Sequence, residues 1–384
     1  MAGSMSEAKL APETLAAHAY FGVDPASGAV APPLQAATTY ARDEAYRLRD
    51  PAQNYARNGT PTVGLAERVI AALEGAADAR LFASGMAAVT TLFETVPQGA
   101  HVAAPQVMYY GTRHWLKQLE AKGRIALTLF DPDDAVALSR AVVKGATDIL
   151  WIETPINPTF GLIDIAQAAL VAHEAGAILA VDSTAASPVL TQPLALGADI
   201  VFHSATKYLN GHSDVLAGAL ATRADDKRWQ AIAAHRTAAG NVLGSMEAWM
   251  LTRGMRTLHL RVRKSCDNAL SIAQHLALHP AIERVLYPGL PDHPSHALAR
   301  RQMRAFGGML SILVKGDLAR TNAVVRRLKV FLPATSLGGV ESLAEHRRII
   351  EGPDSPVPEN LIRLSIGIEA IEDLINDLDQ ALAD

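Results

Sequence analysis

The pattern of hydrophobic positions changes at about residue 63. Before that point, residues 10–62 show little periodicity and are rich in Ala, Pro, Thr and Tyr. The segment VGLAERVIAALEG (63–75) then repeats apolar residues at helical spacing and ends in Gly75, which predicts a helix. Because a long irregular segment rarely stands alone, we expect residues 10–62 to pack on another surface.

Short apolar runs then alternate with helical segments. Residues 148–153, 177–182 and 199–202 are predicted to be buried strands, and residues 164–176 a helix that ends in glycine. Strand–helix–strand order at this spacing predicts parallel strands under covering helices. A composition shift near 254–264 predicts the start of a long basic helix, and the remainder of the chain is typical of a smaller α/β domain.

Composition restricts the class of protein. The 384 residues are 49% hydrophobic and 19% charged, which is ordinary for a globular chain, and the net charge of −4 offers no broad basic field for nucleic acid. No window of about 20 residues is apolar enough to span a bilayer, and the first residues lack the hydrophobic segment of a signal peptide. The single cysteine, Cys266, cannot build a disulfide framework or a cysteine-based metal site. We therefore expect a cytoplasmic protein without a bound metal, whose partners are small molecules or copies of itself.

Several catalytic motifs are absent from the sequence. It contains no G-x-G, no G-K-[ST], no H-E-x-x-H and no G-x-S-x-G. Residues 204–207 match S-x-x-K, the acylating motif of penicillin-binding enzymes. However, Ser213-Asp214 is followed by Val215, and K-T-G does not occur, so the hydrolase interpretation is disfavoured.

Chemically active side chains collect at the predicted strand ends, where parallel sheets bind ligands. Glu153 ends one strand and Asp182 the next, and a third strand leads into Ser204, Thr206 and Lys207. Pyridoxal phosphate requires a lysine for its Schiff base, an acid beside its pyridine nitrogen and a phosphate cradle. Lys207 and Asp182 meet the first two needs.

The cradle is predicted at a helix start, where Gly85 and Met86 would act with Ser204 and Thr206. Each residue also has a purely structural interpretation: Asp182 as a turn residue, Gly85 as part of a helix cap, and Lys207 as a surface lysine. The residues alone leave these alternatives open, and only their joint order favours the cofactor.

The segment HSATKYLNGHSDVLAGA (203–219) closely resembles the lysine segment of the cysteine/methionine-metabolism family of pyridoxal-phosphate enzymes. This resemblance continues through nearly the whole chain, in NYARNGTPT (54–62), FASGMAA (82–88), MYYGT (108–112), ETPINP (153–158), VDSTAASP (181–188), RGMRTLHLR (253–261), SLGGVESL (336–343) and IRLSIGIE (362–369).

The resemblance implies an α/β, aspartate-aminotransferase-like (fold type I) enzyme with a large, mostly parallel-sheet domain. It implies an N-terminal arm for subunit contacts at 1–62, a cofactor-binding domain at 63–256 and a C-terminal α/β domain at 257–384. It also implies a homo-oligomer, a dimer with shared active sites that pairs into a tetramer.

The resemblance assigns a role to each matching residue. Lys207 and Tyr109 would be catalytic, and Arg363 would bind the substrate carboxylate with Ser336, Thr335 and Glu153 nearby. The cofactor would be held by Gly85, Met86, Asn157, Asp182, Ser204, Thr206 and Lys207, with Tyr55 and Arg57 reaching the phosphate of a neighbouring subunit.

Departures from the family pattern bear on the substrate. Enteric β-lyases carry Trp at the position of Leu337, and methionine γ-lyases carry Cys at Gly111, so the resemblance favours the cystathionine γ-synthase and γ-lyase branch. Thr335 replaces a frequent Glu that meets the distal ammonium of cystathionine. The usual H-P-A-S-M-T-H is replaced in 345–356, which brings Arg347 and Arg348 near the expected site mouth.

The predicted reaction is γ-elimination or γ-replacement on cystathionine or an O-acylhomoserine. Two alternatives remain: β-elimination, and a γ-lyase reaction on an atypical substrate such as methionine or canavanine.

Overall fold

A computed structural model describes residues 10–51, 53–134, 136–352 and 357–383. Within this part of the chain, helices flank a sheet of seven strands and a second sheet of five. The strands are β1 (Asp78–Phe82), β2 (Ala100–Pro105), β3 (Ile125–Phe130), β4 (Thr147–Glu153), β5 (Ile178–Asp182), β6 (Ile200–His203), β7 (Gly218–Thr222), β8 (Ile282–Leu286), β9 (Met309–Val314), β10 (Leu332–Pro333), β11 (Leu343–His346) and β12 (Leu361–Ser365).

The helices of the described residues lie before, between and after these strands in the sequence. They are α1 (Pro12–Ala17), α2 (Pro61–Glu74), α3 (Gly85–Glu94), α4 (Tyr110–Ala121), α5 (Ala137–Ala141), α6 (Ile165–Ala175), α7 (Ser187–Leu190), α8 (Lys227–Ala239), α9 (Ser245–Met255), α10 (Leu258–Leu276), α11 (His296–Gln302), α12 (Leu318–Arg327), α13 (Arg347–Glu351) and α14 (Ile371–Leu382). Single 3₁₀ turns lie at Ala19–Phe21 and Pro193–Leu196.

The large sheet has the strand order β1-β7-β6-β5-β4-β2-β3. Strands β6, β5, β4, β2 and β3 run parallel, and β7 is antiparallel to both of its neighbours. The predicted class, α/β with a mostly parallel sheet and a smaller second sheet, is confirmed. The small sheet has the order β10-β11-β12-β9-β8 and is antiparallel except for the pair β10–β11.

Both faces of the large sheet are buried, because successive side chains of a strand point to opposite faces. In β4, Ile149 and Trp151 join one hydrophobic core, whereas Leu150 and Ile152 join the core on the other face. This explains why these strands appear in the sequence as continuous apolar runs.

The predicted local elements agree with the structure. Helix α2 begins after Thr60, whose Oγ1 accepts a hydrogen bond from the Val63 N–H at 3.2 Å, and it ends at Gly75 with φ of 65°. Helix α6 is capped in the same manner, by Asp164 at its start and Gly176 at its end. The three predicted strands correspond to β4, β5 and β6.

The prediction that a long basic helix starts near 254–264 is confirmed. Gly254 and Met255 end α9, and α10 begins at Leu258. A β-carbon at Gly254 would clash with the Asn210 carbonyl oxygen, so the glycine is explained by close packing rather than by a helix start. Helix α10 joins the two halves of the molecule, because its first half packs under the large sheet and its second half under the small one. The boundaries at 62/63 and 256/257 remain predictions.

Residues 10–51 and 53–60 form a largely irregular arm, as expected, and α1 is the longest helix among these described residues. The arm contacts the rest of the chain at a few points, including Trp249 Nε1–H, which donates to the Pro32 carbonyl at 2.9 Å. Val30 and Tyr46 remain 74% and 78% exposed. Among the described helices, none is long and apolar enough to cross a lipid bilayer.

Candidate active site

A cavity of about 280 Å³ lies at the carboxyl ends of β4, β5 and β6 and extends to the small sheet. Every predicted site residue except Tyr55 and Arg57 lines it. These residues are Gly85, Met86, Tyr109, Glu153, Asn157, Asp182, Ser204, Thr206, Lys207, Thr335, Ser336 and Arg363. The parallel order of β4, β5 and β6 therefore brings together, at one edge of the sheet, side chains that are far apart in the sequence.

Glu153 organises the loops around the cavity floor. It pairs in register with Asp182 on the neighbouring strand. Its two carboxylate oxygens accept hydrogen bonds from the backbone N–H of Tyr109 at 2.6 Å and of Asn157 at 2.9 Å. Burial, reinforced by the Asp182 carboxylate, raises the pKa of Glu153 to about 8, so the neutral acid is accessible near neutral pH.

Asp182 is a buried carboxylate that would benefit from a cation. Burial raises its pKa to about 6, although the Thr184 N–H donates to its Oδ1 at 3.0 Å. A protonated pyridine nitrogen at this position would stabilise the ionised form of Asp182, as an opposite charge does for a buried acid.

A phosphate cradle is built around the start of α3. The Ser84 side chain caps this helix by accepting from the Ala87 N–H at 3.0 Å. A β-carbon at Gly85 would lie 3.1 Å from the Ser204 hydroxyl, so glycine keeps the helix N-terminus open toward that hydroxyl. Thr206 lines the same space, but its Oγ1 already donates to the Ala217 carbonyl and accepts from the Ala217 N–H, at 3.1 and 2.9 Å.

Lys207 and Arg363 are joined through a single serine. The Lys207 ammonium donates to Ser336 Oγ at 2.6 Å, and Arg363 donates to the Ser336 carbonyl at 2.7 Å. Ser336 has φ of 92°, a strained conformation for a non-glycine residue, of the kind that clusters at functional sites. Burial and the Arg363 charge lower the pKa of Lys207 to about 8.

Arg363 lies in β12 with its side chain 3% exposed. It donates to Asn157 Oδ1 at 3.3 Å and forms an ion pair with Glu345. It is therefore buried in the cavity wall, on the central strand of the small sheet. A planar guanidinium in this position suits a carboxylate ligand.

Tyr109 precedes α4, and its ring contacts that of Tyr110, with centroids 4.9 Å apart. Burial raises the pKa of Tyr109 to about 12, an effect that the Arg347 charge opposes. Tyr109 is consequently a neutral phenol near neutral pH, able to donate a proton or a hydrogen bond.

Sequence reasoning missed Glu345 as a site residue and placed Arg347 only near the mouth. Both side chains line the cavity and are 3–4% exposed, and the Arg347 guanidinium lies 5.7 Å from the Tyr110 ring centroid. Arg348 does not line the cavity. Glu345 could have been recognised as a site residue only from the pairing of its strand, β11, with β12, which carries Arg363. The register of two paired strands cannot be read from one sequence. Residues 353–356 of the atypical segment lie outside the described residues.

Tyr55 and Arg57 do not line the cavity of their own chain. Both are exposed, and the Arg57 guanidinium lies 5.3 Å from the Tyr55 ring centroid. Their predicted role across a subunit boundary remains a prediction.

Two further observations concern the chemistry of the site. Within the described ranges, no group of three or more His, Cys, Asp or Glu side chains is placed to hold a metal ion. Cys266 is buried in α10, and burial raises the pKa of its thiol to about 12, which agrees with a packing role.

The donor set fits pyridoxal phosphate. Lys207 provides an amine of lowered pKa, and Asp182 provides a buried acid of raised pKa. The N-terminus of α3 at Gly85 is open beside the Ser204 hydroxyl. These are the three groups that this cofactor requires of a fold. Together with the parallel sheet, they define the class as a pyridoxal-phosphate-dependent enzyme.

The chain belongs to the Cys/Met metabolism PLP-dependent enzyme family, whose model matches residues 13–383. It is 42% identical to a cystathionine γ-synthase of Mycobacterium bovis, over 97% of this chain and 96% of that protein. It is 39% identical to a cystathionine β-lyase of Coxiella burnetii, over 96% and 97%. A solved cystathionine γ-lyase structure from Micromonospora echinospora superposes with a TM-score of 0.93 at 38% identity, covering 98% of this chain and all of that one. At the level of the family, the chain is a pyridoxal-phosphate-dependent enzyme of elimination chemistry at Cβ or Cγ.

Proposed function

We propose that this enzyme catalyses γ-elimination or γ-replacement on a γ-substituted L-amino acid of the cystathionine or O-acylhomoserine type. The observation that carries the proposal is the chain of contacts from Lys207 through Ser336 to Arg363. It places a base of lowered pKa beside a carboxylate-binding guanidinium. A substrate held by Arg363 presents its Cα and Cβ protons to Lys207.

Each residue has a distinct role in this reaction. When bound, pyridoxal phosphate supplies an electron sink for the carbanion at Cα. Lys207, with a pKa of about 8, takes the Cα proton and later carries a second proton from Cβ, while Ser336 Oγ holds its amine at 2.6 Å. Tyr109, as a neutral phenol, donates to the departing γ-atom. Asp182 would balance the charge of a protonated pyridine nitrogen, and that cation would offset the burial that disfavours the ionised form of Asp182.

Preference for Cγ over Cβ is supported by Leu337. This residue lines the cavity and is 7% exposed, in the position where enteric β-lyases carry tryptophan. The similarity to a cystathionine β-lyase of Coxiella burnetii favours β-elimination as the second candidate.

The substrate panel is the first test. We expect 2-oxobutanoate from a homoserine ester or from cystathionine, measured by mass spectrometry with cystathionine, O-acetyl- and O-succinylhomoserine, homocysteine, methionine, cysteine and canavanine. Lys207→Ala protein, purified in the same manner, controls for contaminating lyases. Pyruvate from cystathionine, with no 2-oxobutanoate from any compound, would establish β-elimination instead.

The arm supports a second part of the proposal, a homo-oligomer with shared sites. Val23, Val30, Leu34 and Tyr46 are all more than a third exposed in the single chain, and a large apolar set of this kind favours a protein contact. We infer that the arm packs on a second copy and that its Tyr55 and Arg57 reach the cofactor phosphate there. Pairing of dimers into tetramers and a cytoplasmic location belong to the same proposal.

Arg57→Ala tests the shared site. We expect this variant to lose pyridoxal phosphate on dialysis about tenfold faster than the wild type, because one charge-assisted contact to phosphate is removed. Arg49→Ala is the matched control, since Arg49 is another exposed arginine of the arm. Equal retention in Arg57→Ala and wild type, or a fully loaded dimer after deletion of the arm, would refute the cross-subunit role.

A further inference from the structure

The Glu345 carboxylate forms ion pairs with two guanidinium groups in the cavity wall. Glu345 on β11 lies directly opposite Arg363 on β12 in the antiparallel register, so their side chains share one face of the small sheet. Arg363 forms an ion pair with Glu345, and Arg347 donates from one nitrogen to both Glu345 oxygens at 3.3 and 3.2 Å. All three side chains are 3–4% exposed.

This arrangement places a protein carboxylate on the group assigned to the substrate carboxylate. A substrate that approaches Arg363 meets Glu345, which carries the same charge and uses the same guanidinium. Like charges in a buried site repel strongly, so both carboxylates cannot bind Arg363 fully at once. Releasing Glu345 without another cation would leave a buried, unpaired charge, which is strongly unfavourable.

Arg347 prevents Glu345 from becoming an unpaired buried charge. It already contacts both oxygens of Glu345, so Glu345 can turn from Arg363 toward Arg347 and keep a cationic partner. The ring of Tyr110 lies 5.7 Å from the Arg347 guanidinium and offers it a cation–π contact.

We propose that Arg347 is a positioning residue that takes Glu345 from Arg363 when the substrate carboxylate binds. The proposal rests on the role of Arg363 in the proposed function. It gives a role to Arg347 in the atypical segment, because Glu345 occupies Arg363 in the resting enzyme and Arg347 offers Glu345 a second cationic partner.

Glycine is the probe, because it has the α-carboxylate and amine of a substrate and no γ-substituent. Its dissociation constant is measured from the change in holoenzyme absorption, beside KM and kcat for the best panel substrate. We expect Arg347→Met to weaken glycine binding and raise KM by about tenfold or more, with a much smaller change in kcat, because Glu345 is left to Arg363 alone.

Rescue separates positioning from a structural role. Glu345→Gln/Arg347→Met lacks the competing charge, so its glycine affinity should return to within about threefold of the wild type. Glu345→Gln alone should bind glycine at least as tightly as the wild type, a result that stands even if Arg347→Met does not fold.

Three results would overturn the proposal: unchanged glycine affinity in Arg347→Met, a double variant as weak as that single variant, or about tenfold weaker binding in Glu345→Gln. Glycine binding also tests this proposal separately from the γ-elimination or γ-replacement proposed above. A normal glycine pattern without 2-oxobutanoate from the panel would contradict the γ-chemistry only. Absence of glycine binding by the wild type would contradict the Arg363 assignment and this proposal together.

Discussion

Lys207→Ala is expected to abolish both turnover and the absorption band of covalently bound cofactor. The Lys207 amine is the one that this cavity presents beside Asp182 and the start of α3, and its pKa of about 8 makes the nucleophilic, neutral form accessible. Loss of a positioned general base costs about 10²- to 10⁴-fold in rate, and Lys207 also serves as the cofactor's attachment point. The loss should therefore exceed that of any other single substitution in the site.

The measurement is the absorption spectrum after reconstitution with pyridoxal phosphate, followed by borohydride reduction and peptide mass analysis. The reduced wild-type protein should carry the label on the peptide that contains Lys207. Lys227→Ala is the matched control, because Lys227 is an exposed lysine at the start of α8, outside the cavity lining. An unchanged band in Lys207→Ala, or a label on another peptide, would refute the assignment.

Arg363→Ala is expected to lower kcat/KM by two to three orders of magnitude. Removing one partner of a buried, hydrogen-bonded charge pair costs about 2–5 kcal/mol, and about 1.4 kcal/mol corresponds to tenfold. The remaining Glu345 stays paired with Arg347, so the cavity wall keeps a charge partner and the fold should survive.

Arg363→Lys is the graded control for this prediction. It keeps the charge but loses the planar fork, and we expect an intermediate kcat/KM. The cofactor absorption of both variants should resemble that of the wild type, since the cradle at Gly85 and Ser204 is untouched. A kcat/KM within threefold of the wild type in Arg363→Ala would show that the substrate carboxylate binds elsewhere.

The cofactor half of the site was predictable because it follows from local rules. Buried parallel strands appear as apolar runs, ligands bind at their carboxyl ends, and Asp182 and Lys207 each follow such a run. The caps of α2 and α6 were equally readable, since Thr60, Asp164 and two glycines mark their ends.

The substrate half was less predictable, because it depends on register and on contacts between distant strands. Glu345 meets Arg363 only because β11 and β12 pair in one particular register, and a shift by one residue would turn Glu345 to the other face. Tyr55 and Arg57 do not line the cavity of their own chain, and their role at a site of a second copy stays a prediction.

The serine that joins Lys207 to Arg363 also sets an order of events during protein synthesis. Asp182 and Lys207 leave the ribosome well before Ser336 and Arg363, which are carried by the last fifth of the chain. A nascent chain that has completed the large sheet therefore carries Asp182 and Lys207 but not the groups proposed for the substrate. The contacts that join Lys207 to Arg363 can form only after the small sheet has been made.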